Sequence, residues 1–222
     1  LYDRDGHYRA EFYPLVLFAT LGMMLLVAAT DLMTLFLALE TMSLSVYVLV
    51  AGNRGSLRSS EAGFKYLIMG AFASAFLLMG MALLYGETGG TSYAMIGDTI
   101  AGMNSASLLL KLATGLILIG FGFKIAMVPF HMWTPDVYEG APCYVTGFMA
   151  TGVKAAAVAA LLRFAWLTLP VLADVWFPVL MVLAVVTMTY GNLVALSQNS
   201  IKRMLAYSSI AHAGYLLMGV LA

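Results

Sequence analysis

Apolar residues run along this chain in blocks of about 20, the length a helix needs to cross roughly 30 Å of hydrocarbon. Six blocks lie near residues 12–30, 32–51, 61–85, 106–128, 143–165 and 176–197, and a seventh begins near 201. The pattern predicts seven membrane-crossing helices, the last cut short at Ala222. Gly52, Asn53 and Gly55 punctuate the second connection, and Gly86, Gly89 and Gly90 open the third, which is the longest. No soluble domain fits between the blocks, so the fold class is all-α, a polytopic membrane helix bundle.

Composition sharpens this picture. With 62% hydrophobic and 10% charged residues, the chain falls outside the range of soluble domains. The formal net charge is zero, with 11 basic and 11 acidic residues, which leaves no electrostatic footprint for nucleic acid. A single cysteine, Cys143, excludes an internal disulfide, a cysteine-ligated iron–sulfur cluster and a zinc site built on paired cysteines. The chain opens on Leu1 without a signal-peptide pattern, as expected of an internal piece of a longer protein.

The distribution of charge predicts an orientation. If the blocks simply alternate, Arg4, Arg9, Arg54, Arg58, Lys202 and Arg203 fall on one side. The other side collects Asp31, Glu87, Asp98 and Asp174, with Lys111 and Arg163 as its only bases. Cytoplasmic loops carry the basic excess, which makes residues 1–11 a cytoplasmic loop and the chain a multi-pass protein of a cytoplasmic membrane.

Several charges lie outside the loops. Glu40 is about eight residues into the second block, roughly 12 Å deep, and Lys154 about eleven residues into the fifth. A charge at such depth costs on the order of 2.5–3.5 kcal/mol to insert, so each should face the protein interior and find a partner. Such a pair has two readings, a static clamp between helices or a proton-handling group. Lys124 is a third member, in "FKIAMVPFHMWTPDVYEGAP" (residues 123–142). If the fourth helix runs unbroken to Val128, Lys124 snorkels to the interface. If Pro129 and Pro135 break the helix, Lys124 stays deep, beside unwound backbone that only protein or water can satisfy. His131 lies in that stretch and can change charge near neutral pH. Lys65, about five residues into the third block, is either an anchor or a member of the path. Asp136 and Glu139 read as solvated or helix-capping groups, His212 as a weaker candidate than His131, and His7 as a loop residue. The sixteen methionines, at helical spacing, read as packing or lipid-facing residues rather than a metal site.

An internal echo bears on architecture. "FYPLVLFATLGMMLLVAATDL" from Phe12 and "WFPVLMVLAVVTMTYGNLVAL" from Trp176 share an aromatic–aromatic–Pro start and similar apolar spacing. Five crossings separate them, so two such units would be inverted repeats, a common transporter design.

"GFGFKIAMVPFHMWTPDVYEGAP", "ATGVKAAAVAALLRF" and "GNLVALSQNSIKRMLAYSSIAHAGYLLMG" resemble the N-type antiporter-like subunits of bacterial proton-translocating NADH-quinone oxidoreductase, respiratory complex I. A Pro-x-His-x-Trp pattern is shared with the D-type subunits of multisubunit sodium/proton antiporters, and Thr-Pro-Asp-Val-Tyr-x-Gly-Ala-Pro, residues 134–142, favours the N type. The resemblance implies antiporter-like inverted five-helix repeats with a broken helix, the first over residues 12–165 and the second beginning at 176 and running on through 222. It implies proton translocation through Glu40, Lys124, Lys154, Lys65 and His131, with Glu40 and Lys124 as a switchable ion pair. It also implies no cofactor in this chain, with flavin, iron–sulfur clusters and quinone in partner subunits, and other membrane subunits of the complex as partners in a bacterial inner membrane. A subunit of a sodium/proton antiporter or of a membrane-bound hydrogenase is the alternative.

Overall fold

The computed structural model describes residues 10–103 and 105–222. The predicted positions of Arg4, His7 and Arg9 fall outside them. Long helices dominate: α1 (Phe12–Ala28), α2 (Leu32–Val50), α3 (Leu57–Thr88), α5 (Leu108–Ile125), a continuous run made of α7 (Cys143–Phe148), a π-helical turn (Met149–Val153) and α8 (Lys154–Thr168), then α9 (Ala173–Leu196) and α10 (Ile201–Leu221). Two short helices join them, α4 (Tyr93–Ala101) and α6 (Trp133–Gly140). All the segments after α1 that were expected to cross are long and apolar enough to do so, and α1 is a 17-residue apolar helix.

Local chemistry sets the helix ends. Asp31 accepts from the Thr34 amide at 2.9 Å and caps α2. Thr34, bonding through both hydroxyl and amide, holds the Asp31 carboxyl below its usual range. Ser107 caps α5 through the Leu110 amide at 3.0 Å, and Gly89, at φ 69°, closes α3 in the left-handed region that glycine reaches without a Cβ clash. α4 lies in the long third connection, where the sequence predicted only a loop. It buries Tyr93, Ile96 and Ile100, and reciprocal amide–carbonyl bonds tie its leading strand to the turn before α2 (Leu32 to Thr91 and Tyr93 to Thr30, each 2.9 Å).

The fourth crossing is broken. α5 stops at Ile125 because Ala126 takes a left-handed conformation, φ 64°, and Pro129 offers no amide to resume the ladder. Pro135 lies in the first turn of α6, where a missing amide is tolerated, so it starts a helix rather than breaking one. The first break stands three residues before the proline that signalled it. At about 1.5 Å per residue α5 rises roughly 27 Å and α6 roughly 12 Å.

Small residues bring the helices together. A Cβ on Gly22 would stand 2.5 Å from the Met42 nitrogen, and one on Gly191 2.7 Å from the Ala211 nitrogen, so α1 meets α2 and α9 meets α10 backbone to backbone. Arg54, Lys65, Lys202 and Arg203 gather at one end of the bundle with Glu11, Asp136 and Glu139; Arg163 reaches the Val27 carbonyl at the other. α1 therefore runs from the basic end and α9 toward it, the opposite senses expected for the two echoing segments.

Candidate functional site

Helix α2 presents Glu40, Ser43 and Tyr47 along one face, at i, i+3 and i+7. Lys124, at the end of α5, meets that face. It is 2% exposed, and its Nζ donates to Ser43 Oγ at 2.7 Å and Tyr47 Oη at 3.0 Å. Ser43 in turn donates to the Leu39 carbonyl. Lys124 is enclosed by protein, with its ammonium turned to α2 rather than outward as a snorkelling side chain would be. The Glu40 carboxylate accepts instead from Ser74 Oγ of α3, at 2.5 Å. The switchable pair expected of Glu40 and Lys124 stands open in this structure: the two make no direct contact within 4.0 Å, and Ser43, one turn from Glu40, is Lys124's partner. The two charges remain on one face of α2, so a side-chain rearrangement could bring them together.

Gly70 makes room for this arrangement. A Cβ there would overlap the Tyr47 hydroxyl at 2.0 Å. Gly70→Ala should displace Tyr47 from Lys124 and cost about 1–3 kcal/mol of overpacking. The expected outcome is a lower midpoint of thermal unfolding in detergent, with Gly86→Ala, at a site open around its Cα, as the control.

Lys154 is 3% exposed and opens α8, immediately after the π-helical turn. Its Nζ donates to Ser209 Oγ and to the Ser209 carbonyl of α10, each at 2.7 Å. Wide π turns recur at functional sites because the extra residue re-aims a side chain, and here the turn ends at the lysine. Neither buried lysine contacts a carboxylate, although each was expected to pair with one.

Between them lies the break. His131 is 7% exposed, stacks edge-on against Tyr190 of α9 (4.7 Å between rings), and its Nδ1 has no protein partner. The Thr134 hydroxyl, one turn on, is likewise buried and unbonded. The unwound backbone is held elsewhere: Thr187 of α9 accepts from the Val128 amide at 3.0 Å, and the Trp133 indole donates to the Phe123 carbonyl at 2.9 Å.

Lys65 stands apart from the buried charges. It is exposed at the basic end, 2.8 Å from Glu61 and 3.3 Å from Asp136. Arg203 bonds Asp136 at 2.8 Å and Glu139 at 3.0 Å, so Asp136 and Glu139 are ion-paired rather than merely solvated. Lys202 caps the end of α6 through the Glu139 and Ala141 carbonyls, each at 3.2 Å. These charges surround a cleft of about 230 Å³ lined by Arg58, Glu61, Lys65, Asp136 and Glu139. His212 is exposed and bonds only the Ser208 carbonyl.

Ser43, Tyr47, Ser74 and Ser209 are the partners that sequence reasoning missed. The heptad-like spacing from Glu40 could have flagged the first two; nothing local marks Ser74 or Ser209, which meet their partners across 34 and 55 residues.

A broken helix flanked by helices that bury unpaired lysines defines an antiporter-like polytopic membrane bundle. The chain belongs to the family described as NADH:quinone oxidoreductase/Mrp antiporter, transmembrane, which matches residues 29–222. It is 57% identical to NADH-quinone oxidoreductase subunit N of Trichlorobacter lovleyi over 98% of this chain and 45% of that protein. With subunit N of Myxococcus xanthus the identity is 54%, over 99% of this chain and 43% of the relative. The chain thus spans about half the length of the curated relatives it matches. Among solved structures it resembles a chain of respiratory complex I from Thermus thermophilus with bound aureothin, at 48% identity and TM-score 0.81, over 96% of this chain and 45% of that one. A chain of the Mrp complex from Dietzia gives TM-score 0.85 at 29% identity, over 94% and 39%. The likeness to N-type subunits drawn from the motifs is borne out.

Proposed function

We propose that this chain is part of a proton-translocating membrane subunit of an NADH-quinone oxidoreductase, coupling electron transfer in partner subunits to proton movement. The observation that carries the reading is two lysines buried in the bundle with neutral partners only. A static clamp would set each ammonium against a carboxylate, whereas these can lose a proton without stripping a counter-charge from an ion pair. Redox chemistry, with flavin, iron–sulfur clusters and quinone, belongs to the other subunits of the complex in a bacterial inner membrane.

In this reading the polar cleft around Lys65 feeds protons from the cytoplasm. Glu40, leaving Ser74, closes on Lys124 and loads it; when Glu40 withdraws, the proton passes to Lys154 by way of water bonded to His131 Nδ1 and Thr134 Oγ1, two of the buried atoms that lack a hydrogen-bond partner among the described residues. Residues 12–165 form the first repeat and 176–222 begin the second. The higher identity to the complex I chain than to the Mrp chain favours the oxidoreductase over the antiporter.

The test uses the full-length protein in its assembled complex. Glu40→Gln should lower proton uptake into inverted vesicles per NADH oxidised, by about tenfold or more if the carboxylate is a required acid–base group, and Glu40→Asp should lower it less. Normal pumping by assembled Glu40→Gln would remove the carboxylate from the mechanism. Orientation has its own test. With Cys143→Ser as background, Arg54→Cys and Asn199→Cys should react with an impermeant thiol reagent only from the cytoplasmic side and Thr91→Cys only from the outside. Labelling of positions 54 and 91 from one side would overturn the assignment.

A further inference from the structure

The hydroxyls of Ser43 and Tyr47 are not the whole of Lys124's surroundings. Its Nζ lies 5.2 Å from the centre of the Tyr47 ring, 5.9 Å from Tyr66 and 5.7 Å from Phe123. All three are within the roughly 6 Å over which a ring's negative face attracts a cation, an attraction that strengthens where water is excluded. The rings also touch one another. Tyr47 meets Tyr66 edge-on at 4.6 Å, and Tyr66 stacks on Trp133 at 4.4 Å with 12° between planes. Trp133 meets Tyr138 edge-on at 6.0 Å. Lys154 Nζ lies over the Tyr138 ring, 5.9 Å from its centre.

A continuous row of rings, contributed by α2, α3 and α6, therefore crosses the break and has one buried lysine at each end. Trp133 fixes the row to the break itself, since its indole donates to the Phe123 carbonyl, which also accepts from the Ala126 amide where α5 stops. We propose that Tyr66 and Phe123 at one end and Tyr138 at the other are positioning residues whose rings hold the Lys124 and Lys154 ammonium groups in place of carboxylates, with Tyr47, which binds Lys124 through its hydroxyl, and Trp133 packing these rings in line. The inference rests on the proton path proposed above and adds what places its two cations where no carboxylate touches them. Because rings attract a cation without taking its proton, they let each lysine exchange protons with its neighbours in the path.

The experiment alters ring electrons at constant shape, in the full-length protein within its complex. Phe123→4-fluorophenylalanine, →3,4-difluorophenylalanine and →3,4,5-trifluorophenylalanine drain the ring's negative face stepwise while leaving its packing nearly unchanged. Pumping should fall in that order, the trifluoro variant by about threefold to thirtyfold. At the other end, Tyr138→Phe and Tyr138→3,4,5-trifluorophenylalanine both lack the hydroxyl, and the fluorinated variant should pump severalfold less. Equal pumping across the Phe123 series and across the Tyr138 pair would make the rings packing only and overturn the proposal. Lys124→Met and Lys154→Met run in parallel. If they fail to pump while fluorination has no effect, the proton path stands and the ring proposal fails; if they pump as wild type, the path fails and the positioning role with it.

Discussion

Lys124→Arg should pump protons poorly in a fully assembled complex, by about tenfold or more below wild type, and Lys124→Ala should do no better. Arginine keeps the positive charge, and the surrounding rings and hydroxyls can still attract it. It cannot release a proton at any accessible pH, so a lysine that carries protons is not replaced by it. Its planar fork is also a poor fit to a site that meets a compact ammonium with Ser43 Oγ and Tyr47 Oη at 2.7 and 3.0 Å. Alanine removes the charge as well, leaving Glu40 on α2 with Ser74 as its remaining partner. The comparison separates two roles that an alanine variant alone would merge. Wild-type pumping by Lys124→Arg, measured as proton uptake per NADH oxidised, would leave Lys124 a fixed charge and end its part as a carrier.

The coarse architecture was written in the apolar blocks because a bilayer allows a spanning chain only satisfied backbone, and helices of about 20 residues provide it. The same logic made Glu40, Lys124 and Lys154 visible, since charges inside such blocks are costly wherever they do not serve a purpose. Partners were less legible. Glu40 and Lys154 were each expected to find a partner because a charge at depth is costly, and the partners in this structure are serine hydroxyls, Ser74 and Ser209, which are too common on apolar helices to stand out. α4 was missed because nine residues rich in Gly, Ser and Thr neighbours read as a loop, and only Tyr93, Ile96 and Ile100, packed toward α8, make it a helix. The break was placed from Pro129, but the chain turns at Ala126, whose left-handed backbone no alanine announces. Asp136 and Glu139 appeared solvated because Arg203, their partner, lies more than 60 residues on.

Lys154→Met should separate stability from function most cleanly. Methionine has nearly the length of lysine and no charge to desolvate, and removing a buried ammonium that no carboxylate balances relieves a cost rather than creating one. Ser209, which accepts from Lys154 Nζ through both its carbonyl and its hydroxyl, loses a donor, yet neither atom is left with an unbalanced charge. The complex should therefore assemble as well as wild type and unfold at the same or a higher temperature. Pumping should nonetheless fall by about tenfold or more, because no other side chain at the π-helical turn before α8 can take up a proton arriving from the break. Assembly on native gels and proton uptake per NADH oxidised, read on the same preparation, decide between the roles. Wild-type uptake would make Lys154 a relic of packing and sever the proposed path at α8, whereas lost assembly with uptake in proportion to the surviving complex would make it a structural post between α8 and α10.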